Sequence, residues 1–291
     1  MMRIKGFISP SCLEEALRLH ADLSGQALYV AGGTDVLVAA RAGRYAEETL
    51  IDISRLEELR GIREERGRVV IGALSAHSQV ECSPLVRATA RMLAEAAGSV
   101  GSPQIRNRGT LGGNVSNASP AADTLAPLAA LRAVVMLQGL DGEREAPLEA
   151  FVLGAYRTAL RPGEIVKALA YEKPAAGSSS CYVKLGRRNA LAISRLSCAA
   201  LASFDGDRRV AQLMLSMGSV FASPMALPEQ EAMLIGEIPT AERIRQVAEA
   251  MGRRMIEAVG YRWSSEYKLP ASVAVCEQAL TRALLEGRES A

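Results

Sequence analysis

The feature that most limits how this chain can fold is a run before its midpoint, Gly101-Ser102-Pro103-Gln104-Ile105-Arg106-Asn107-Arg108-Gly109-Thr110-Leu111-Gly112-Gly113-Asn114, continuing to Ser119-Pro120-Ala121-Ala122-Asp123. It carries several glycines and small hydroxyl residues but few large side chains, so it makes a poor packed core element and reads as a loop that lines a ligand. Thr110, Asn114 and Ser119 are able to donate hydrogen bonds to phosphate oxygens, and Asp123 is able to accept one from a ribose or ribitol hydroxyl. Taken alone, the segment is explained equally well as a long polar surface loop in which Asp123 caps a helix near Pro127.

A second glycine segment, Val30-Ala31-Gly32-Gly33-Thr34-Asp35, follows directly on the apolar run Ala27-Leu28-Tyr29-Val30, which reads as a strand. Adjacent glycines let the backbone turn through conformations closed to other residues and let its amides approach an anion closely, which suits a pyrophosphate. The spacing is neither the dinucleotide pattern GxGxxG nor a P-loop. By itself, a structural turn that needs two glycines accounts for it as well.

Around these segments strands and helices alternate, so the class is mixed α and β. Ser11 with Glu14 forms a capping-box pattern ahead of a short helix over residues 12 to 22, and residues 35 to 41 are compatible with a helix or an extended run. Ile51-Asp52-Ile53, Val69-Val70-Ile71 and Val134-Val135-Met136-Leu137 read as strands, with helical patterns near 77 to 97 and 124 to 132. The small-residue stretch Pro174-Ala175-Ala176-Gly177-Ser178-Ser179-Ser180 marks a linker or exposed turn. The expected division is therefore 1–174, in subdomains of roughly 1–55 and 56–174, and 175–291. In the second part, Leu191 to Phe204, the turn Asp205-Gly206-Asp207 and Val210 to Met217 predict an antiparallel pair. Two helices follow it, one capped by Thr240 and one from about Ala271 to Leu285.

Composition narrows the partners. A net charge of +2 with dispersed lysines and arginines predicts no grip on nucleic acid. The N-terminus lacks an apolar core of signal-peptide length and no run reaches the roughly 18 apolar residues of a membrane span, so a cytoplasmic protein is expected. The five cysteines, Cys12, Cys82, Cys181, Cys198 and Cys276, form no CxxC pair, and His20 and His77 stand apart from other ligand-type residues. Any metal cluster is expected on another chain.

Together, Ala31-Gly32-Gly33-Thr34-Asp35 and Gln104-Ile105-Arg106-Asn107 through Thr110-Leu111-Gly112-Gly113-Asn114, with Ser119-Pro120 and Asp123, resemble the flavin subunits of the xanthine dehydrogenase and carbon monoxide dehydrogenase family of molybdenum hydroxylases. The likeness runs along nearly the whole chain and looks closest to separate subunits serving xanthine or nicotinate dehydrogenases. It implies an α+β fold: a vanillyl-alcohol-oxidase-type (PCMH-like) FAD-binding domain of two α/β subdomains, then a small antiparallel sheet with helices. It also implies that Tyr29, Val30, Ala31, Gly32, Gly33, Thr34, Asp35 and Val36 wrap the FAD pyrophosphate, and that Thr110, Leu111, Gly112, Gly113 and Asn114 complete the cradle. Asp123 would hold a sugar or ribitol hydroxyl, and Gly101, Arg157, Val166 and Lys184 would contact the cofactor, the last two nearest the isoalloxazine. Where the fused eukaryotic enzymes place an aromatic residue against the ring, this chain has Val100.

The function so implied is electron transfer. FAD on this chain would take electrons from two 2Fe–2S clusters of a small partner subunit, while a molybdopterin-binding large subunit hydroxylates an aromatic N-heterocycle of the xanthine or nicotinate type. NAD or another acceptor would receive the electrons, and a hetero-oligomer such as a dimer of heterotrimers is an expected assembly. A self-sufficient flavoprotein oxidase or reductase, and a scaffold subunit without flavin, are the competing readings.

Overall fold

In the computed structural model, which describes residues 4–45, 48–188 and 191–286, the first apolar run forms the strand Ala27–Val30. Ala27–Val30 and Gly6–Ile8 both pair in parallel with Thr49–Asp52, which lies between them. Parallel neighbours require crossovers, and the helices Leu13–Asp22 and Val36–Arg41 supply them. Helix Leu13–Asp22 buries Leu13, Ala16 and Leu17 in a core shared with Ala27, Ile51 and Ile53. Its start differs from the predicted capping box. Cys12 is the N-cap, which moves the third helical position to Glu15, and both the amide and the hydroxyl of Ser11 donate to Glu15 Oε2 at 2.6 Å.

A five-stranded antiparallel sheet follows, in the order Ile62–Glu65, Arg68–Gly72, Ile165–Glu172, Val134–Gly139, Gly142–Pro147. The helical pattern of residues 77 to 97 resolves into three helices, His77–Cys82, Pro84–Thr89 and Arg91–Gly98. Pro84 explains the first break, because the residue before a proline is driven out of the α region, and Ser83 sits at φ −64°, ψ 120° while its hydroxyl caps the next helix. The helix Leu125–Ala130 is buried along its whole length and packs against the third sheet.

That third sheet, Ser179–Leu185, Leu196–Phe204 and Val210–Gly218, is antiparallel. Side chains alternate across a strand, and here both faces are covered. Cys181, Val183, Cys198, Ala200 and Ala202 join the core beneath the last two helices, whereas Tyr182, Ala199 and Leu201 join the core around the five-stranded sheet. Three boundaries depart from the sequence reading. The middle strand begins at Leu196 and not at Leu191, the small-residue stretch becomes strand at Ser179, and the final helix spans Ser265–Leu284 with Pro270 inside it. Thr240 does cap Ala241–Val259, its Oγ1 accepting from Arg243 N at 3.2 Å. Among the described residues no helix is long and apolar enough to cross a membrane.

Candidate functional site

The two glycine segments, remote in sequence, meet. After Ala27–Val30 the chain turns at Gly33, whose φ of +73° is a conformation side chains rarely adopt, and enters Val36–Arg41. Gly32 lies against the other segment so closely that a Cβ there would run into the carbonyl of Arg108. Asn117 Nδ2 donates to Asp35 Oδ1 at 3.2 Å, and Thr34 Oγ1 donates to Asp35 Oδ2 at 3.3 Å. Glycine at position 32 thus serves backbone-to-backbone contact, a use the sequence reading did not anticipate.

The second segment is tied to the strand-to-helix turn that follows Arg68–Gly72. His77 N donates to Gly109 O at 3.0 Å, Leu111 N to Ser75 O at 2.9 Å and Gly112 N to Ala73 O at 2.9 Å. Thr110 is the N-cap of helix Leu111–Asn117, its Oγ1 accepting from Gly113 N at 3.1 Å, and Asn114 Oδ1 accepts from Thr124 Oγ1 at 2.6 Å. Leu111 is buried. Gly113 is exposed, and a Cβ there would meet only Thr110 Oγ1, at 2.9 Å, with open space beyond. Gly101, at φ +45°, packs on Ile105.

Asp123 is buried and caps nothing, since Thr124 precedes the helix Leu125–Ala130 without a side-chain cap bond. Its Oδ1 accepts from the Tyr182 hydroxyl at 2.9 Å and its Oδ2 from Lys184 Nζ at 2.8 Å. Lys184 Nζ also donates to Ser99 O at 2.9 Å, and Tyr182 N to Glu95 Oε2 at 2.9 Å. Tyr182 and Lys184 are two residues apart on one strand, so one sheet face delivers both to Asp123. Burial pushes the Asp123 carboxyl above its usual range, against the pull of Lys184 and Tyr182. Burial, then the charge of Asp123, holds the Tyr182 phenol well above its own. Tyr182 was missed from sequence, although the alternation along Ser179–Leu185 places it beside Lys184.

Other expected site residues lie apart from this cluster. The Tyr29 hydroxyl sits 3.3 Å from Gly163 O and 3.4 Å from Ala16 O, and its ring stacks on His20 at 4.8 Å. Val30 and Val166 are buried in cores, Ala31 and Val36 are half-buried, and Arg157 is exposed on a small hairpin anchored by Tyr156 N to Ala118 O at 2.8 Å. A separate cleft of about 610 Å³, lined among others by His20, Asp141, Arg144, Arg161 and Glu164, includes none of the expected residues. Among the described residues no group of three or more His, Cys, Asp or Glu side chains is placed to hold a metal ion.

Residues 2–170 match the family described as the FAD binding domain in molybdopterin dehydrogenase, and residues 181–286 the carbon monoxide dehydrogenase flavoprotein C-terminal domain. The chain is 32% identical to the carbon monoxide dehydrogenase medium chain of Hydrogenophaga pseudoflava, over 94% of this chain and 95% of that one. It is 36% identical to the nicotinate dehydrogenase FAD-subunit of Eubacterium barkeri, over 81% of each. Among solved structures it resembles the H. pseudoflava carbon monoxide dehydrogenase that lacks the Mo-pyranopterin moiety of its cofactor, with a TM-score of 0.90, 31% identity and 99% of each chain covered.

Proposed function

This chain belongs to the family of FAD-binding subunits of molybdenum hydroxylases, and from that premise we propose that FAD lies where its two glycine segments meet. The observation that carries the placement is the open side of Gly113, beside a junction that ties residues 32 and 35 to residues 108 and 117. The amides of Leu111, Gly112, Gly113 and Asn114 are bonded within the protein, so an anionic dinucleotide would be met by the turn at residues 32–35 and the Thr110 hydroxyl, and a side chain at 113 would fill the space. Tyr29 to Val36 and Thr110 to Asn114 would line the pyrophosphate. The Asp123 carboxylate uses two of its roughly four acceptor positions on Tyr182 and Lys184, which leaves room for a ribityl or ribose hydroxyl. Gly101, Arg157, Val166 and Lys184 join the site on family resemblance, with Lys184 held in place by Asp123 and Ser99.

A bound flavin would accept electrons singly from iron–sulfur clusters and pass them on in pairs. This chain's residues would orient the ring and hold near it the buried Asp123–Lys184 pair, whose charges largely offset one another. The electrons would come from two 2Fe–2S clusters on a small subunit, after hydroxylation of an aromatic N-heterocycle at a molybdopterin site on a large subunit, with NAD as acceptor. Similarity to the nicotinate dehydrogenase FAD-subunit supports that substrate class. The same reading places the complex in the cytoplasm as a dimer of heterotrimers, with this chain divided at residues 174 and 175.

Gly113→Val is the test. Its Cβ disturbs only the Thr110 hydroxyl, at about 1 kcal/mol for a weakened cap, so the protein should fold yet purify without flavin. Gly33→Val is less informative, because φ +73° strains any side chain with or without a ligand. Stoichiometric FAD in the Gly113 variant would put the cofactor elsewhere, and hydroxylation of nicotinate or xanthine by the isolated chain would make it a self-sufficient enzyme.

A further inference from the structure

Strand Ser179–Leu185 is an edge of the third sheet, and helix Arg91–Gly98 lies along it. Met92 N donates to Ser180 Oγ at 3.1 Å, Tyr182 N to Glu95 Oε2 at 2.9 Å, and Lys184 Nζ to Ser99 O at 2.9 Å. Three alternate residues of one strand are thus fixed to one helix and its end, and two of them carry the donors that meet Asp123.

The Asp123 carboxylate therefore has one fixed donor on each oxygen. An ammonium has no lone pair to offer in return, and the Tyr182 phenol, held well above its usual range by burial and by the charge of Asp123, keeps its proton. A proton on either carboxylate oxygen would weaken the bond which that oxygen accepts. Burial alone drives the carboxyl the other way, toward the neutral form. Of the other elements around it, Leu111–Asn117 and Leu125–Ala130 contain no ionisable side chain, and Cys198 of the middle strand belongs to the core beneath the last helices. Glu95 of the helix is engaged by Tyr182 N and by Arg91. Keeping Asp123 charged thus falls to Lys184 and the Tyr182 hydroxyl.

We propose that Tyr182 is a positioning residue for the flavin: with Lys184 it locks Asp123 as a carboxylate that can only accept, so the cofactor group presented there has to be a hydrogen-bond donor. A ribityl or ribose hydroxyl meets that demand, and a phosphate oxygen or a ring carbonyl does not. The proposal rests on the flavin reading of the site and adds to it a residue that acts through Asp123.

The test uses the full chain without flavin, its aspartates labelled with carbon-13 at the side-chain carboxyl, as wild type, Tyr182→Phe, Asp123→Asn and the double variant. FAD is titrated in at a series of pH values from about 5 to 8, and quenching of its fluorescence gives the dissociation constant. The Asp123 carboxyl resonance, assigned by its absence from Asp123→Asn, reads the protonation of that group directly. At pH 7.5 Tyr182→Phe should weaken FAD about five-fold, the worth of about one hydrogen bond. The phenol's hydrogen bond draws the Asp123 carboxyl down, so removing it moves the carboxyl up. In Tyr182→Phe both the protonation of the carboxyl and the loss of FAD affinity on acidification should therefore set in at higher pH than in wild type. On the Asp123→Asn background Tyr182→Phe should no longer move the affinity profile, and a shift of equal size there overturns the proposal. The same carboxyl midpoint in Tyr182→Phe and wild type also overturns it, and a protonated Asp123 in wild type at pH 7.5 does so without any variant. FAD affinity unchanged by Asp123→Asn, with the carboxyl midpoint still shifted by Tyr182→Phe, overturns it through the flavin reading and not through Tyr182.

Discussion

Replacing Asp123 by asparagine separates two roles that the sequence could not. A residue that faces only a ligand, or only caps a helix, would leave the flavin-free protein almost as stable as before. In the structure, Asp123 and Lys184 form an ion pair of 2.8 Å with side chains 8% and 13% exposed, and the contact joins the segment after Leu111–Asn117 to the third sheet. Taking one charge out of such a pair costs 3–5 kcal/mol in general. Asparagine keeps an acceptor for the Tyr182 hydroxyl, and Lys184 keeps Ser99 O, so the low end applies, about 3 kcal/mol. At roughly 2–3 °C per kcal/mol for a chain of this size, the flavin-free protein should melt about 6–9 °C lower. Scanning calorimetry at pH 7.5 on flavin-free protein reads this directly. Lys184→Met and the double variant complete a cycle in which removing both charges should cost less than the sum of the two single changes. A melting temperature within about 1 °C of wild type for Asp123→Asn would refute the reasoning, since removing one partner of a buried pair generally costs several kcal/mol.

Two further outcomes follow from single environments. His77 is buried against Gly109 with its Nδ1 unpartnered, and burial, then the charge of Arg106, holds its imidazole down at about 4. The folded state therefore favours neutral histidine: the stability is present above the unfolded value of about 6.5 and is lost as pH falls toward 4, about 3 kcal/mol in all. Urea midpoints at pH 7.5 and 4.5 should differ less in His77→Gln than in wild type, and an identical pH dependence rejects the claim. Gly32→Ala drives a Cβ into the Arg108 carbonyl, an overpacking cost of about 1–3 kcal/mol. Because the obstacle is backbone the upper end applies, so its flavin-free form should melt about 6–9 °C low where that of Gly113→Val falls only about 2–3 °C, and equal melting of the two would be the contrary result.

What could be read from the sequence was short-range. The strand Ala27–Val30 and the glycine turn are consecutive, so local conformational preference decides them, as it decides the Thr240 cap, whereas residues 35 to 41 read equally as helix or extended run and only the structure makes Val36–Arg41 a helix. The helix boundary at Ser83 is equally local, since Pro84 imposes it, but the helical pattern near 77 to 97 runs straight across it. The partner of Asp123 was not local. Lys184 lies 61 residues away, and the link exists only because one face of the strand Ser179–Leu185 turns toward the first core while the other turns toward the final helices. A near-continuous apolar run shows that a strand has two buried faces but not what each face meets.

The glycines show the same limit more sharply. All four looked alike in sequence, as positions where an anion might approach the backbone. In three dimensions Gly32 and Gly112 press on the backbones of Arg108 and Ala73, Gly33 holds a left-handed turn, and Gly113 alone faces open space. A missing Cβ signals close approach or unusual torsion, and whether the neighbour is protein or ligand depends on the whole fold. That is why a side chain at 113 asks about the cofactor, whereas one at 32 or 33 asks first about the protein.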